Sequence, residues 1–216
     1  DDPYHFPSRN MNLTVARAAR LFYHAAVAFM DFQMGRVLDA LDESGLTNDT
    51  LVVLHSDHGW ALGEHGEWQK FNNWEVGTRV PLIIRAPWIS KSVGQRSTAL
   101  AELVDMYKTI SDLAGISLPH GEKIDGESLG PVLQAGGDAT VREGAVQVFP
   151  RCPKLESNKD DFGPFMTMTN ETNFWQNNWC ELVDRSMIPW MGYTLRTEQW
   201  RYTEWVAWDG QKLRPD

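Results

Sequence analysis

The chain has 216 residues, 42% hydrophobic and 23% charged, a balance that excludes a disordered polar segment and suits one domain, or a large domain with a small appendage. Its 20 Lys and Arg against 29 Asp and Glu give a formal charge of −9, which argues against non-specific binding to nucleic acid or an anionic membrane. The longest apolar runs, 25–30 and 80–84, fall far short of the roughly 18 residues a membrane helix needs.

Residues 1–13 contain Pro and Asn and read as an irregular lead-in. The opening Asp1-Asp2-Pro3-Tyr4-His5 is neither basic nor apolar, unlike a signal peptide. A long helix is predicted from Thr14, its N-cap, to a stop at Gly45. Phe22, Ala26, Phe29, Met30, Met34, Val37 and Leu41 recur at helical spacing and define its inward face. The apolar run Leu51-Val52-Val53-Leu54 reads as a buried strand over 51–55. A Gly- and Trp-rich loop follows, then a second strand over 80–86 ended by Pro87. A second amphipathic helix is predicted over 99–114, with Leu103, Met106, Tyr107, Ile110 and Leu113 on one face. Residues 119–137 are rich in Gly and turn formers and read as loop.

The last third changes character. Segments 144–149, 191–196 and 201–208 read as strands, the last two joined by the polar turn Arg196-Thr197-Glu198-Gln199 into a hairpin. Between them lies a long polar insertion, 151–189, bracketed by the chain's two cysteines, Cys152 and Cys180. They allow one disulfide or two free thiols. Three N-x-[ST] sequons begin at Asn12, Asn48 and Asn170, against roughly one expected by chance. Sequons and a cysteine pair together favour a lysosomal or secreted route. The ten Trp residues supply core volume first and sugar-stacking faces second.

The chemistry concentrates after the first strand. In α/β proteins ligands bind outside the carboxyl ends of strands, and Asp57 and His58 stand there. Asp57 can bind a divalent cation, act as an acid or base, or cap the following turn. Imidazole suits zinc, iron or copper, whereas calcium and magnesium prefer oxygen, so Asp-His does not name a metal. Gly59 lets the backbone approach a ligand closely. On spacing alone, Lys70 is a solvated loop lysine. His65 offers a general acid or, equally simply, a loop-structuring imidazole. Trp60 stands beside the pair.

These residues carry a family resemblance. Ser56-Asp57-His58-Gly59 after an apolar strand resembles the second metal-binding motif of the alkaline phosphatase superfamily. The extension Trp60-Ala61-Leu62-Gly63-Glu64-His65-Gly66-Glu67-Trp68, then Lys70, then Thr78-Arg79-Val80-Pro81-Leu82-Ile83, resembles the sulfatases, and within them the iduronate-2-sulfatase group. The helix segment 23–36 and the segments 191–197 and 201–205 resemble the same family. The resemblance spans residues 14–114, 144–153 and 187–208 and leaves 154–186 uncovered.

The resemblance implies an α/β fold of the alkaline-phosphatase/sulfatase type, a mixed sheet flanked by helices with a small C-terminal antiparallel sheet. Residues 1–140 would belong to the α/β core and 141–216 to the small subdomain. It implies one calcium ion held in part by Asp57 and His58, Lys70 reaching the sulfate, and Trp60 and His65 lining the sugar pocket. It also implies a formylglycine nucleophile made from cysteine in C-x-P-S-R. Neither Arg151-Cys152-Pro153-Lys154 nor Trp179-Cys180-Glu181 fits that motif. His5-Phe6-Pro7-Ser8-Arg9 echoes its end, but His stands where Cys should, and the echo reads as coincidence. The chain therefore reads as the C-terminal portion of a truncated sulfatase whose partner is the remaining N-terminal part of the same enzyme. The implied substrate is a 2-O-sulfated uronic acid in a sulfated glycosaminoglycan, heparan or dermatan sulfate, with no nucleic-acid or membrane partner. The alternatives are a phosphoester or phosphonate hydrolase of the same superfamily, a sulfatase acting on another sugar or on an aryl sulfate, and a non-catalytic secreted glycan-binding protein.

Overall fold

The computed structural model describes residues 11–70, 72–118, 124–151 and 184–215. In chain order these form α1 (Leu13–Glu43), β1 (Val52–His55), β2 (Ala61–Leu62), β3 (Trp68–Gln69), α2 (Glu75–Thr78), β4 (Leu82–Arg85) and α3 (Asp105–Ala114). There follow α4 (Gly130–Gln134), β5 (Ala145–Arg151), β6 (Trp190–Arg196), β7 (Arg201–Asp209) and β8 (Arg214–Pro215).

Helix α1 runs for 31 residues, and its N-cap is Asn12 rather than Thr14. The Asn12 side-chain oxygen accepts the Thr14 N–H at 2.9 Å. Asn is the stronger cap, because its carbonyl reaches one of the orphan N–H groups of the first turn. The helix stops at Ser44, and Gly45 then takes φ +72°, as the glycine stop predicts. The inward face read from the sequence is not covered. Phe22, Phe29, Met30 and Val37 are all more than half exposed, and only Ala16 is buried. The described chain meets α1 chiefly at the β2–β3 lobe. There Arg20 Nε donates to the Leu62 carbonyl at 2.9 Å, and its guanidinium lies 5.3 Å from the centre of the Trp68 ring.

Strands β1 and β4 pair antiparallel, from Val52 opposite Arg85 to His55 opposite Leu82. Val53, Leu82 and Ile84 pack against Met106, Leu129 and Val132, which form the core. The opposite face holds Ile83, which is exposed. The first strand is therefore half-buried rather than buried, since helices cover one face of this pair.

Helix α3 begins at Asp105, six residues later than its apolar spacing suggests. Asp105 and Thr109 are fully buried, while Leu103, Tyr107 and Ile110 are exposed. Hydrogen bonding decides this, because a buried polar group must be partnered. The Asp105 carboxylate accepts the N–H groups of Glu102 and Glu127, each at 2.8 Å, and pairs with the Arg142 guanidinium. Thr109 accepts the Leu129 N–H at 2.9 Å. Asp105 thus ties 102, 127 and 142 together at the start of the helix. The segment read as loop over 119–137 contains α4, with Pro131 in its first turn, where a missing N–H costs nothing. Leu129 and Val132 from this stretch enter the core.

The C-terminal sheet has the order β5-β6-β7-β8, all antiparallel. The predicted hairpin is present, closed by Thr197 N–H donating to the Trp200 carbonyl at 2.8 Å. Thr194 and Thr203 face each other across β6 and β7 and share a 2.9 Å hydroxyl hydrogen bond. Pro150 sits in β5, an edge strand of this order, where its lack of an N–H is tolerated. Strand β8 was not foreseen. Among the described residues no helix is long and apolar enough to cross a membrane. Cys152, Cys180, Asn170 and nearly all of 154–186 lie outside the described residues.

Candidate active site

Strand β1 delivers its chain to Ser56, and the next two residues turn out of the sheet. The Asp57 Oδ1 accepts the His58 N–H at 3.0 Å, and Ser56 Oγ donates to the His58 carbonyl at 2.7 Å. Asp57 Oδ2 lies 3.4 Å from His58 Nε2. The carboxylate is 80% exposed and the imidazole 31%, so the pair stands on a rim. The His58 Nδ1–H donates to the Gly59 carbonyl at 2.9 Å, which leaves the Nε2 lone pair turned outward.

That lone pair meets Lys70. The chain leaves β2, passes a 3-10 turn at Glu64–Gly66 and returns through β3. β3 ends at Gln69 with φ +68°, a left-handed conformation that costs an L-residue roughly 1–2 kcal/mol. The next side chain, Lys70, places its Nζ 2.9 Å from His58 Nε2. The structure therefore brings Asp57, His58 and Lys70 together, although a lysine 13 positions past an aspartate carries no such signal by itself.

Trp60 forms the wall. Its ring stacks at 6.2 Å and 29° on His58, and at 6.3 Å and 23° on Tyr23 of α1. Tyr23 reaches Trp60 from α1, a contact without a signal in the sequence, because a lone Tyr at helical spacing is indistinguishable from core. His65 goes elsewhere. It takes φ +56° within the 3-10 turn and stacks 4.0 Å from Trp74 at 13°. Its ring is occupied in holding the loop against Trp74. The sequons at Asn12 and Asn48 are both on exposed residues.

The electrostatics follow from the contacts. Desolvation raises the Asp57 carboxyl, but the His58 imidazole, the backbone N–H groups of Asp57 and His58, and Lys70 outweigh it and hold it below the ordinary aspartate range. Glu64 is held low mainly by the Leu62 N–H it accepts, against desolvation, with its own N–H, Arg20 and His65 adding. As a metal site the rim is incomplete. Calcium takes about 6–8 oxygen ligands, and here one carboxylate and one imidazole converge. No group of three or more His, Cys, Asp or Glu among the described residues is arranged to hold a metal. These residues fit part of a calcium shell and do not fit a complete one.

Beneath the site lies the 72–79 segment. Gly59 N–H donates to the Gly77 carbonyl at 3.0 Å, and a Cβ at Gly59 would stand 2.0 Å from the Val76 oxygen. Only glycine permits that approach.

A strand-end Asp-His pair with a lysine folded back onto it thus stands at one end of this α/β framework. The chain belongs to the sulfatase family, whose model matches residues 6–116. A second model, N-sulphoglucosamine sulphohydrolase, C-terminal, matches residues 63–191. Similar proteins include iduronate 2-sulfatase of Homo sapiens, 32% identical over 89% of this chain and 39% of that protein. Arylsulfatase K of Xenopus laevis is 33% identical over 76% of this chain and 28% of that protein. The chain thus spans well under half the length of these relatives. Among solved structures, one in complex with its substrate D-glucosamine-2-N,6-O-disulfate matches with TM-score 0.58 and 27% identity, over 86% of this chain and 33% of that one. The phosphonate monoester hydrolase of Agrobacterium radiobacter matches in fold with TM-score 0.66 at 23% identity, over 91% of this chain and 36% of that one. The α/β architecture with its small C-terminal antiparallel sheet is therefore that of the sulfatases.

Proposed function

We propose that this chain contributes part of the active site of a sulfatase that removes the sulfate ester of a uronic acid, iduronate 2-sulfate, in heparan or dermatan sulfate. The observation that carries the reading is the convergence of Asp57, His58 and Lys70 on one rim. The 32% identity to iduronate 2-sulfatase supports the uronic acid as substrate. Lys70 holds a sulfate oxygen through a charge-assisted hydrogen bond and stabilises the charge that develops on the transferred group. Trp60, backed by Tyr23, presents an aromatic face to the sugar. Asp57 supplies a carboxylate oxygen, and His58 a lone pair, toward a calcium ion. Calcium, when bound, neutralises the sulfate and the nucleophile. The nucleophile is a formylglycine from a cysteine outside this chain, since neither Cys152 nor Cys180 lies in C-x-P-S-R. The partner that completes the site is the N-terminal part of the same enzyme, which also covers the apolar face of α1. We assign 1–140 to the α/β core and 141–216 to the C-terminal subdomain. A lysosomal or secreted location accords with the sequons and the cysteine pair.

A phosphonate or phosphoester hydrolase is the competing reading, favoured by the fold match to the Agrobacterium enzyme. The test is an assay of the full-length enzyme on a 2-O-sulfated iduronate disaccharide and on a phosphonate monoester. Preferential sulfate release, reduced about 10²–10³-fold in kcat by Lys70→Ala, is the expected result. Faster turnover of the phosphonate would overturn it.

A further inference from the structure

The site rests on a loop that is anchored from behind by a different part of the fold. Segment 72–79 carries Glu75 at the start of α2. The Arg201 Nε donates to Glu75 Oε2 at 2.8 Å, and the Arg196 Nε lies 3.4 Å from the same oxygen. Arg79 lies 3.8 Å from the other oxygen. Three guanidiniums therefore share one carboxylate in a chain whose net charge is −9. The contacts to the loop's backbone carbonyls run the same way. Gln147 Nε2 of β5 donates to the Asn72 carbonyl at 3.2 Å, and Arg201 Nη1 to the Asn73 carbonyl at 3.4 Å. Asn73 is buried against Gly192 of β6, where a Cβ would stand 2.5 Å from its amide nitrogen. Apart from the Arg79 pair, which lies within the loop, each of these contacts ties the loop to the C-terminal sheet.

On its other side the loop faces the rim. The Gly77 carbonyl accepts the Gly59 N–H, and the Gly59 carbonyl accepts Nδ1–H of His58. A histidine's tautomer is set by the hydrogen bond that its other nitrogen makes. The Gly59 carbonyl is thus what leaves the His58 Nε2 lone pair free for Lys70. Without Glu75 the loop loses its only carboxylate, and Arg196 and Arg201 lose the oxygen they share.

We propose that Glu75 is a positioning residue: clamped by Arg201 and Arg196, it holds Gly77 against Gly59 and thereby fixes the tautomer of His58. This deepens the reading of the Asp57–His58–Lys70 site and makes the C-terminal sheet part of the active-site framework. Glu75 touches none of the reacting groups and acts through one backbone hydrogen bond, Gly59 N–H to Gly77, and one from the His58 ring to the Gly59 carbonyl.

The test is nitrogen-15 NMR of the His58 ring together with amide hydrogen exchange, on the 216-residue chain. In the parent chain His58 is expected as the Nδ1–H tautomer. In Glu75→Gln and in Arg201→Gln it shifts toward Nε2–H, and the Gly59 amide exchanges about tenfold faster or more. Val53 and Thr194 amides keep their protection. The double variant is no worse than the more affected single one, because one clamp is being removed twice. Arg201→Lys, which keeps the charge, restores part of the parent signal and serves if a glutamine variant fails to fold. A folded Glu75→Gln chain with the parent tautomer and parent Gly59 exchange would overturn the proposal. The readout needs neither metal nor sulfate. Failure of the sulfatase assay would therefore refute the proposed activity and leave the clamp standing.

Discussion

The ammonium of Lys70 and the imidazole of His58 meet nitrogen to nitrogen at 2.9 Å. One lone pair on Nε2 serves either the lysine or a metal ion, and cannot serve both. Removing the lysine frees the ligand and withdraws a positive charge whose repulsion at about 4 Å is roughly 1–4 kcal/mol, from bulk water to a protein surface. Lys70→Ala is therefore expected to bind zinc, an imidazole-seeking probe, about tenfold more tightly than the parent chain. Calorimetric titration measures this, and Asp57→Asn on the same background should reverse it. Equal affinity in Lys70→Ala and parent would show that lysine and metal do not compete.

The chain alone should be catalytically silent. No cysteine stands in the nucleophile motif, so an aryl sulfate and a sulfated iduronate disaccharide, with calcium supplied, should give turnover equal to the Lys70→Ala control. Release above that control would mean that a nucleophile resides in these 216 residues.

Acid should loosen the Glu75 anchor and relieve a different strain nearby. Desolvation raises the Glu75 carboxyl, but the hydrogen bond and charge of Arg201, then Arg196 and Arg79, outweigh it and hold it below the ordinary glutamate value of about 4.3. A depressed folded pKa contributes stability that is complete above about pH 4.3 and is lost as pH falls through the lower folded value. Glu67 is the opposite case. Desolvation raises its carboxyl, and Arg151 and His65 offset this only in part. Its contribution is present below about pH 4.3 and is lost as pH rises through the higher folded value. Melting curves from pH 3 to pH 7 check both signs. Glu75→Gln should lose Tm at pH 7 and approach the parent at pH 3, whereas Glu67→Gln should exceed the parent at pH 7 and converge with it in acid.

The buried carboxylate of Asp105 should be the most sensitive structural position. It is fully buried, receives two backbone N–H groups and pairs with Arg142. Asp105→Ala leaves those donors unmet and is expected to cost about 3–5 kcal/mol, or roughly 10 °C in Tm for a chain of this size. Asp112→Ala, exposed on the same helix, should stay within about 0.5 kcal/mol. Equal Tm values for the two variants would remove Asp105 as the organiser of α3.

Cys152 and Cys180 are expected to pair when the protein passes through an oxidising compartment. Thiol labelling of denatured, unreduced material from a secreting host should then find no free thiol. A bridged loop of this length stabilises by about 3–4 kcal/mol on the chain-entropy account. Two labelled thiols would reject both the bridge and the compartment.

The sequence announced the site's polar members more clearly than its support. Asp57, His58 and Lys70 were legible because a strand-end Asp-His-Gly and its Trp-rich extension form a long, specific string. Tyr23 and Glu75 were not legible as site residues. Each reaches the site from a distant element, and neither a helical tyrosine nor a loop glutamate differs locally from its solvated or packed counterparts. Periodicity placed α1, β1, β4 and the β6–β7 hairpin within a few residues. It misplaced the start of α3, because the buried face there is polar, with Asp105 and Thr109 spent on loop backbone. It passed over α4 because Gly, Pro and Ser around 126–131 resemble a loop, although Leu129 and Val132 enter the core. The apolar face of α1 was read correctly as apolar, yet nothing among the described residues covers Phe22 or Phe29.

Helix α1 also sets a spacing. Its 31 residues make a rod about 46 Å long, with Asn12 at its first turn. Thr47 donates to the Leu41 carbonyl at 3.4 Å, which folds Asn48 back beside its last turn. Sugars on these two residues would stand at opposite poles of one rigid element. At Asn12 the glycan would hang from the amide nitrogen while the oxygen keeps capping the helix. Trimming enzymes would meet two independent substrates, and loss of either sequon would leave the processing of the other unchanged.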